Sequence, residues 1–217
     1  MPTQRGHISL SGYKHRNALY LFADLRGFTK WAKESESELQ QLLEAYYTCA
    51  QECFGSRRDQ TYLRRVVKFL GDGFFAVNEY DNLAGVAAVD AAFAQTFDGM
   101  LEFLKCFRTQ MNRANFHQQP HIASGFGLSF GASVRFSVSG HPLDYAGSQV
   151  NIAARLCSKA AKDQLIMEKK LATSLRMLYE VYNVPFQPIY ETIELKGLPN
   201  TSVAKLLLRN ISRKQKG

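Results

Sequence analysis

Cysteine is scarce. Cys49, Cys53, Cys106 and Cys157 are the only four in 217 residues, and no two form a C-x-x-C pair. A zinc ribbon or a redox dithiol is therefore not expected, and all four read as small buried apolar residues of a reducing compartment. The five histidines, His7, His15, His117, His121 and His141, are scattered through apparent loops. H-E-x-x-H is missing, and Pro120 opposes the helix that would align His117 with His121. No histidine metal centre is expected. No apolar run reaches the roughly 18 residues of a membrane span, and Met1 to Asn17 lacks the apolar core of a signal peptide. The expected location is the cytoplasm, without membrane insertion. G-x-x-x-x-G-K-[ST] is absent too, which removes P-loop chemistry.

What is present suits a folded domain. Hydrophobic residues make up 46% and charged residues 21%, and a chain of this length buries roughly 70% of its unfolded surface without staples. The net charge is +8, from groups such as Arg57, Arg58, Arg64 and Arg65 and a C-terminal run of Arg209, Arg213, Lys214 and Lys216. Such a balance suits nucleic acid, an acidic surface or a polyanionic small substrate. No nucleic-acid reader motif accompanies it.

The apolar run 18–24 reads as a buried strand ending at Asp24. Leu39, Leu42, Leu43, Tyr46, Ala50, Cys53 and Phe54 then recur at helical steps. Residues 62–69 and 74–77 read as strands joined by the Gly71-Asp72-Gly73 turn. A second helix places Val86, Val89, Phe93, Phe97, Leu101 and Leu104 on one face, and 124–138 reads as a strand. The order β-α-β-β-α-β predicts an α+β fold, a ferredoxin-like palm core with helices on one face of the sheet, followed by a C-terminal extension. A helix from Val150 to Ala161, a strand at 165–167, a helix to about Tyr179 and strands near 190–196 and 203–208 complete that extension. Residues 1–17 are expected as an N-terminal extension, 18–208 as the domain and 209–217 as a basic tail.

Two carboxylates carry the chemistry. Asp24 ends a strand before a glycine turn, and Asp72 sits between two glycines at a hairpin tip. Taken singly, each is an ordinary turn-capping residue. On adjacent strands they would converge and could hold a pair of divalent cations for displacement at phosphorus. The turn after Asp24, with a helix behind it, is an anion cradle. Gly125, Gly127 and Gly131 do not match a dinucleotide fingerprint and read as marks of close strand packing. In the run Asp144 to Arg155, Asn151 and Arg155 are four apart and share a helix face, while Ile152, Ala153 and Leu156 turn inward.

The segments Leu19 to Thr29, Lys68 to Phe74, Asp144 to Arg155 and Leu195-Lys196-Gly197 together resemble the class III nucleotidyl cyclases, in order and over about residues 18–208. The resemblance implies that Asp24 and Asp72, with the Leu25 carbonyl, bind two Mn²⁺ or Mg²⁺ ions. It implies that Asn151 orients the ribose and Arg155 stabilises charge at the α-phosphate. Lys68 and Asp144 fall where the family reads the base. Backbone groups of Gly27, Phe28 and Thr29, and Lys196, fall where phosphates bind. The reaction implied is attack of the 3′-hydroxyl on the α-phosphate, giving a 3′,5′-cyclic nucleotide and pyrophosphate. The family builds each site from two domains, and this chain carries both sets, so a homodimer with sites at the interface is expected.

A Lys/Asp pair suits adenine, and it suits uracil equally: lysine donates to O4 and aspartate accepts from N3–H. Cytosine fits worse. The bulky Phe74, Phe75, Tyr46 and Tyr47 would contract a pocket, although a core role suits any one of them better. The Phe22 to Phe28 and Val67 to Val77 segments are similar to those of the stand-alone bacterial pyrimidine cyclases of Pycsar anti-phage defence. That points to UTP ahead of CTP, with the product acting on a separate cyclic-nucleotide-binding effector. The alternative is an adenylate cyclase of general signalling. A diguanylate cyclase would need G-G-[DE]-E-F, from which Leu70-Gly71-Asp72-Gly73-Phe74 departs. A non-catalytic nucleotide sensor is disfavoured because no catalytic position is missing.

Overall fold

The computed structural model describes residues 10–55, 57–58, 62–80, 85–114, 116, 121–138, 143–184, 187–209 and 211–214. The first half contains β1 (Leu10–Arg26), α1 (Phe28–Glu34), a 3-10 turn (Glu36–Glu38), α2 (Leu39–Phe54), β2 (Arg57–Arg58), β3 (Tyr62–Phe69), β4 (Gly73–Tyr80), α3 (Gly85–Arg113) and β5 (Ala123–Val138). The second half contains β6 (Leu143–Ala146), α4 (Ser148–Lys159), β7 (Gln164–Glu168), a 3-10 stretch (Lys169–Thr173), α5 (Leu175–Val181), β8 (Tyr182–Asn183), β9 (Ile189–Ile193), β10 (Thr201–Leu207) and β11 (Ser212–Arg213).

One sheet runs β2-β3-β4-β1-β5-β7-β10-β9, with β6 also paired to β5. Strands β3, β4, β1 and β5 are the ferredoxin-like core: β1 lies antiparallel between β4 and β5. The first strand begins at Leu10, well before the expected start at Ala18, because its early residues also pair with β5. Ser212 and Arg213, inside the expected basic tail, pair with β8. Of the histidines placed in loops, His15 falls within β1, whereas His7, His117 and His141 lie outside the described residues.

Period-two alternation along β1 sends Leu19, Leu21, Ala23 and Leu25 to one face, against α2 and α3. Ala18, Tyr20 and Phe22 go to the other face. Both faces are covered, which is why this strand reads as a continuous apolar run. On the first face, Tyr46, Phe54, Phe74, Phe93, Phe97, Phe103 and Phe126 are fully buried. Each of these phenylalanines contributes about 1.5–3 kcal/mol by leaving water.

Helix α4 packs on the opposite face, a departure from helices on one side only. Gly127 makes this possible: a Cβ there would lie 2.1 Å from the Cys157 nitrogen and 2.2 Å from the Ala153 oxygen. The glycines of β5 are thus packing residues, as their pattern predicts. Cysteine differs from expectation. Cys49 of α2 is joined to Cys106 of α3 by a disulfide, with Cα atoms 5.8 Å apart, while Cys53 and Cys157 remain buried thiols. The partners are 57 residues apart, so no spacing motif marks them. Among the described residues no helix is long and apolar enough to cross a membrane.

Candidate active site

The end of β1 is tied to the β3–β4 hairpin by backbone register. Asp24 pairs with Gly73. One residue on, the Leu25 N–H donates to the Asp72 carbonyl at 2.9 Å. In an extended strand a residue's N–H and C=O point to the same side, so the Leu25 carbonyl also faces the hairpin tip. The tip is a two-residue turn closed by the Leu70 N–H donating to Gly73 O at 2.8 Å, with Gly71 at φ 71°. Only glycine occupies that conformation cheaply. The Tyr47 hydroxyl donates to the Gly71 carbonyl from α2 and fixes the tip from behind.

This convergence brings the two carboxylates into electrostatic contact. The Asp24 pKa is raised, first by burial and then by the Asp72 charge, while Arg26 opposes the rise. Arg26 Nη1 lies 2.9 Å from Asp24 Oδ2. An open cleft of about 570 Å³ adjoins the pair, lined by Phe28, Thr29, Ala32, Lys33, Leu39 and Asp72 among others. Gly27, at φ 87°, starts α1 and no side chain caps it.

The second cluster lies on the face that carries α4. The β5–β6 ribbon curls over this face, so that Tyr145 meets Tyr20 and Phe75 edge-on, both at 6.2 Å between centroids. The next residue back, Asp144, accepts from Lys68 Nζ at 2.6 Å and from the Tyr145 N–H at 2.8 Å. Lys68 Nζ stands 6.0 Å above the Phe75 ring, which stacks on Phe22 at 4.5 Å. The ribbon's base is buried: Glu79 accepts from both Arg135 Nη1 (2.8 Å) and the Tyr145 hydroxyl (2.6 Å). On α4, Val150, Ala153 and Leu156 are buried, which turns Asn151 out to solvent and leaves Arg155 half-buried. A Cβ on Gly197 would lie 3.9 Å from Arg155 Nη2, so the Leu195–Leu198 turn brings the exposed Lys196 to the same region.

The bulky residues near these motifs divide. Phe74 and Tyr46 belong to the helical-side core. Phe75 is buried beneath Lys68, and Tyr47 is half-buried at the tip, its ring 4.3 Å from Phe69. Two contributors stand outside the sequence expectations. Arg26 was visible only as part of a motif, although its two-residue spacing from Asp24 on a strand already places both on one face. The Tyr47 contact has no sequence signal, because it depends on where α2 ends up.

Asp24 and Asp72 suit hard divalent cations. Among the described residues no cluster of three or more His, Cys, Asp or Glu forms a metal centre. A cation held here would therefore complete its shell with main-chain oxygen, water and substrate phosphates, the usual arrangement for Mg²⁺ at nucleotide sites. Among the described residues, the cleft beside Asp72 is lined by none of Lys68, Asp144, Asn151 or Arg155.

The family model of the adenylate and guanylate cyclase catalytic domain matches residues 11–206. The chain belongs to this family. A search of curated protein sequences gives no match. Among solved structures, the guanylyl cyclase Cya2 superposes with TM-score 0.68 at 19% identity, covering 90% of this chain and 93% of that one. The adenylyl cyclase CyaB from P. aeruginosa gives 0.62 at 19% identity, covering 94% and 99%. The guanylate cyclase domain of RhGC from Catenaria anguillulae, in complex with GTP, gives 0.59 at 16% identity, covering 93% and 100%. These likenesses establish the shared fold.

Proposed function

We propose that this cyclase domain converts a pyrimidine nucleoside triphosphate, UTP ahead of CTP, to its 3′,5′-cyclic monophosphate and pyrophosphate, and that it works as a homodimer. The observation that carries the cyclase reading is the meeting of Asp24 and Asp72 at the hairpin tip, with Leu25 bonded to Asp72. Two divalent cations bound there, Mn²⁺ or Mg²⁺, would activate the 3′-hydroxyl and neutralise phosphate charge.

The chain's own residues do the rest. Asp24, Asp72 and the Leu25 carbonyl hold the cations. Phe28 and Thr29 line the cleft beside Asp72, where the backbone N–H groups of Gly27, Phe28 and Thr29 would bind the phosphates. Asn151 orients the ribose, and the Arg155 guanidinium stabilises charge growing at the α-phosphate. Lys196, close to Arg155, adds positive charge for the distal phosphates. Within one chain the Asn151–Arg155 cluster does not line the Asp72 cleft, which supports completion of each site by a second copy.

Lys68 and Asp144 select the base. Held 2.6 Å apart, they present one donor and one acceptor side by side. Uracil matches both, and the similarity of the Phe22–Phe28 and Val67–Val77 segments to those of pyrimidine cyclases favours it over adenine. Adenine satisfies the same pair, so an adenylate cyclase is the second reading. The resemblance to defence cyclases supports a messenger read by a separate effector. The test is a panel of ATP, GTP, CTP and UTP, each incubated with Mn²⁺ and the purified chain, with products identified by mass spectrometry. Cyclic UMP as main product supports the assignment. Cyclic AMP replaces the base and keeps the site, and no product from any of the four overturns the catalytic reading.

A further inference from the structure

The site contains a cation of its own. Arg26 follows Asp24 by two residues on β1, and its guanidinium is gripped from two sides. Nη1 lies 2.9 Å from Asp24 Oδ2, and Nη2 donates to the carbonyl of Cys157 in the last turn of α4. That carbonyl also accepts the Ala160 N–H at 3.0 Å, using its second lone pair. Space for the guanidinium comes from β5. Gly125 is the residue opposite Asp24, and a Cβ there would stand 2.7 Å from Arg26 Nε. The Arg26 side chain is 22% exposed, well inside the sheet-and-helix sandwich. Three separate elements, β1, β5 and α4, thus shape one slot that delivers a fixed positive charge to a carboxylate assigned to cation binding.

We propose that Arg26 is the internal counter-ion of Asp24, competing with the divalent cation for this carboxylate and so setting the metal concentration at which the site loads. Here Arg26 is a positioning residue: it acts through Asp24 and through the α4 carbonyl. The inference rests on the assignment of Asp24 as a cation ligand. A guanidinium anchored on both sides excludes adventitious monovalent ions from Asp24 and leaves only when a doubly charged ion outbids it. Anchorage on Cys157 keeps the displaced guanidinium within the slot, ready to return.

Mn²⁺ alone is the probe, with free ion followed by electron paramagnetic resonance, so no turnover is required. The expected result is that Arg26→Met binds Mn²⁺ about tenfold more tightly than the unmodified chain, the scale of removing one nearby like charge. Arg26→Lys, which keeps the charge, stays near the unmodified value, and Asp24→Asn abolishes the site. If Asp24→Asn abolishes binding but Arg26→Met binds no more tightly than the unmodified chain, the counter-ion role is wrong and the cation site stands. If Asp24→Asn leaves Mn²⁺ binding unchanged, the site assignment fails and the inference with it. A measurement on the unmodified chain guards against a variant that does not fold: the Arg26 guanidinium NMR signal should shift as Mg²⁺ saturates the site. An unmoved signal at saturation overturns the proposal.

Discussion

Asp72 and Asp144 are both carboxylates at the ends of hairpin strands, yet they are held by different means. Asp72 sits in a two-residue turn whose geometry is fixed by backbone bonds and a left-handed glycine, and its own carbonyl is zipped to Leu25. Asp144 lies opposite Phe136 in the short β5–β6 ladder, and side chains complete its placement: the Lys68 ion pair, and Tyr145 packed between Tyr20, Phe75 and the buried Glu79. The pair itself is surface-like, with Lys68 43% and Asp144 31% exposed. A backbone-defined position tolerates change in the surrounding side chains, whereas a side-chain-defined one moves with them. The proposed chemistry thus rests on the rigid region and the proposed base choice on the adjustable one.

The contrast breaks hardest at the hairpin tip. Asp72→Ala should lower turnover by about 10³-fold or more, the scale of losing several kcal/mol of metal-borne charge stabilisation; steady-state rates with saturating Mn²⁺ check it. Arg155→Ala should cost about 10²–10³-fold through loss of one transition-state donor. Mixing the two inactive chains should then restore about a quarter of the unmodified activity, since half the dimers are mixed and each has one complete site. Mixtures that stay inactive would break the dimer reading.

The next effect in size is on packing. Gly127→Ala puts a Cβ into the α4 backbone and should cost about 3 kcal/mol, roughly 6–12 °C in Tm for a chain of this size. Turnover should fall with it, because α4 carries Asn151 and Arg155; Mn²⁺ should still bind at the hairpin tip, since α4 carries no cation ligand, but more tightly, because the shifted Cys157 carbonyl no longer anchors Arg26. Lys68→Ala should change stability by less than about 1 kcal/mol, as for other exposed pairs. It should nevertheless reduce discrimination among the four triphosphates by about tenfold, read as ratios of kcat/KM.

The smallest effect is a pH dependence. The Asp24 pKa is raised in the fold, chiefly by burial and by Asp72, so the folded state holds its proton more tightly than the unfolded chain. Its contribution to stability is therefore most favourable in acid and declines as pH rises through the carboxylate range. In metal-free protein, comparing urea midpoints of the unmodified chain and Asp24→Asn across that range should show the difference growing with pH. Added Mn²⁺ should shrink it.

Strand and helix order, the palm-like core and the candidate residues were legible because they are written in short-range patterns. The apolar run before Asp24, the Gly-Asp-Gly turn and the four-residue spacing of Asn151 and Arg155 each encode local geometry. Less was legible where distant segments meet. The early residues of β1 read as a polar extension because their partners lie in β5. Cys49 and Cys106 showed no relation because 57 residues separate them. The curl of the β5–β6 ribbon depends on Glu79, Arg135 and Tyr145, three residues with no common motif.

The sequence by itself determined which groups are available: two aspartates at strand ends, a lysine and an aspartate in motif positions, and an asparagine and arginine on one helix face. Periodicity and turn chemistry act over a few residues, so they suffice for this. Only the tertiary structure decided which groups meet. It placed Asp24 against Asp72, Lys68 against Asp144, and Arg26 between Asp24 and α4, because register, the bare backbone at Gly125 and Gly127, and close packing set distances between segments that the chain keeps far apart.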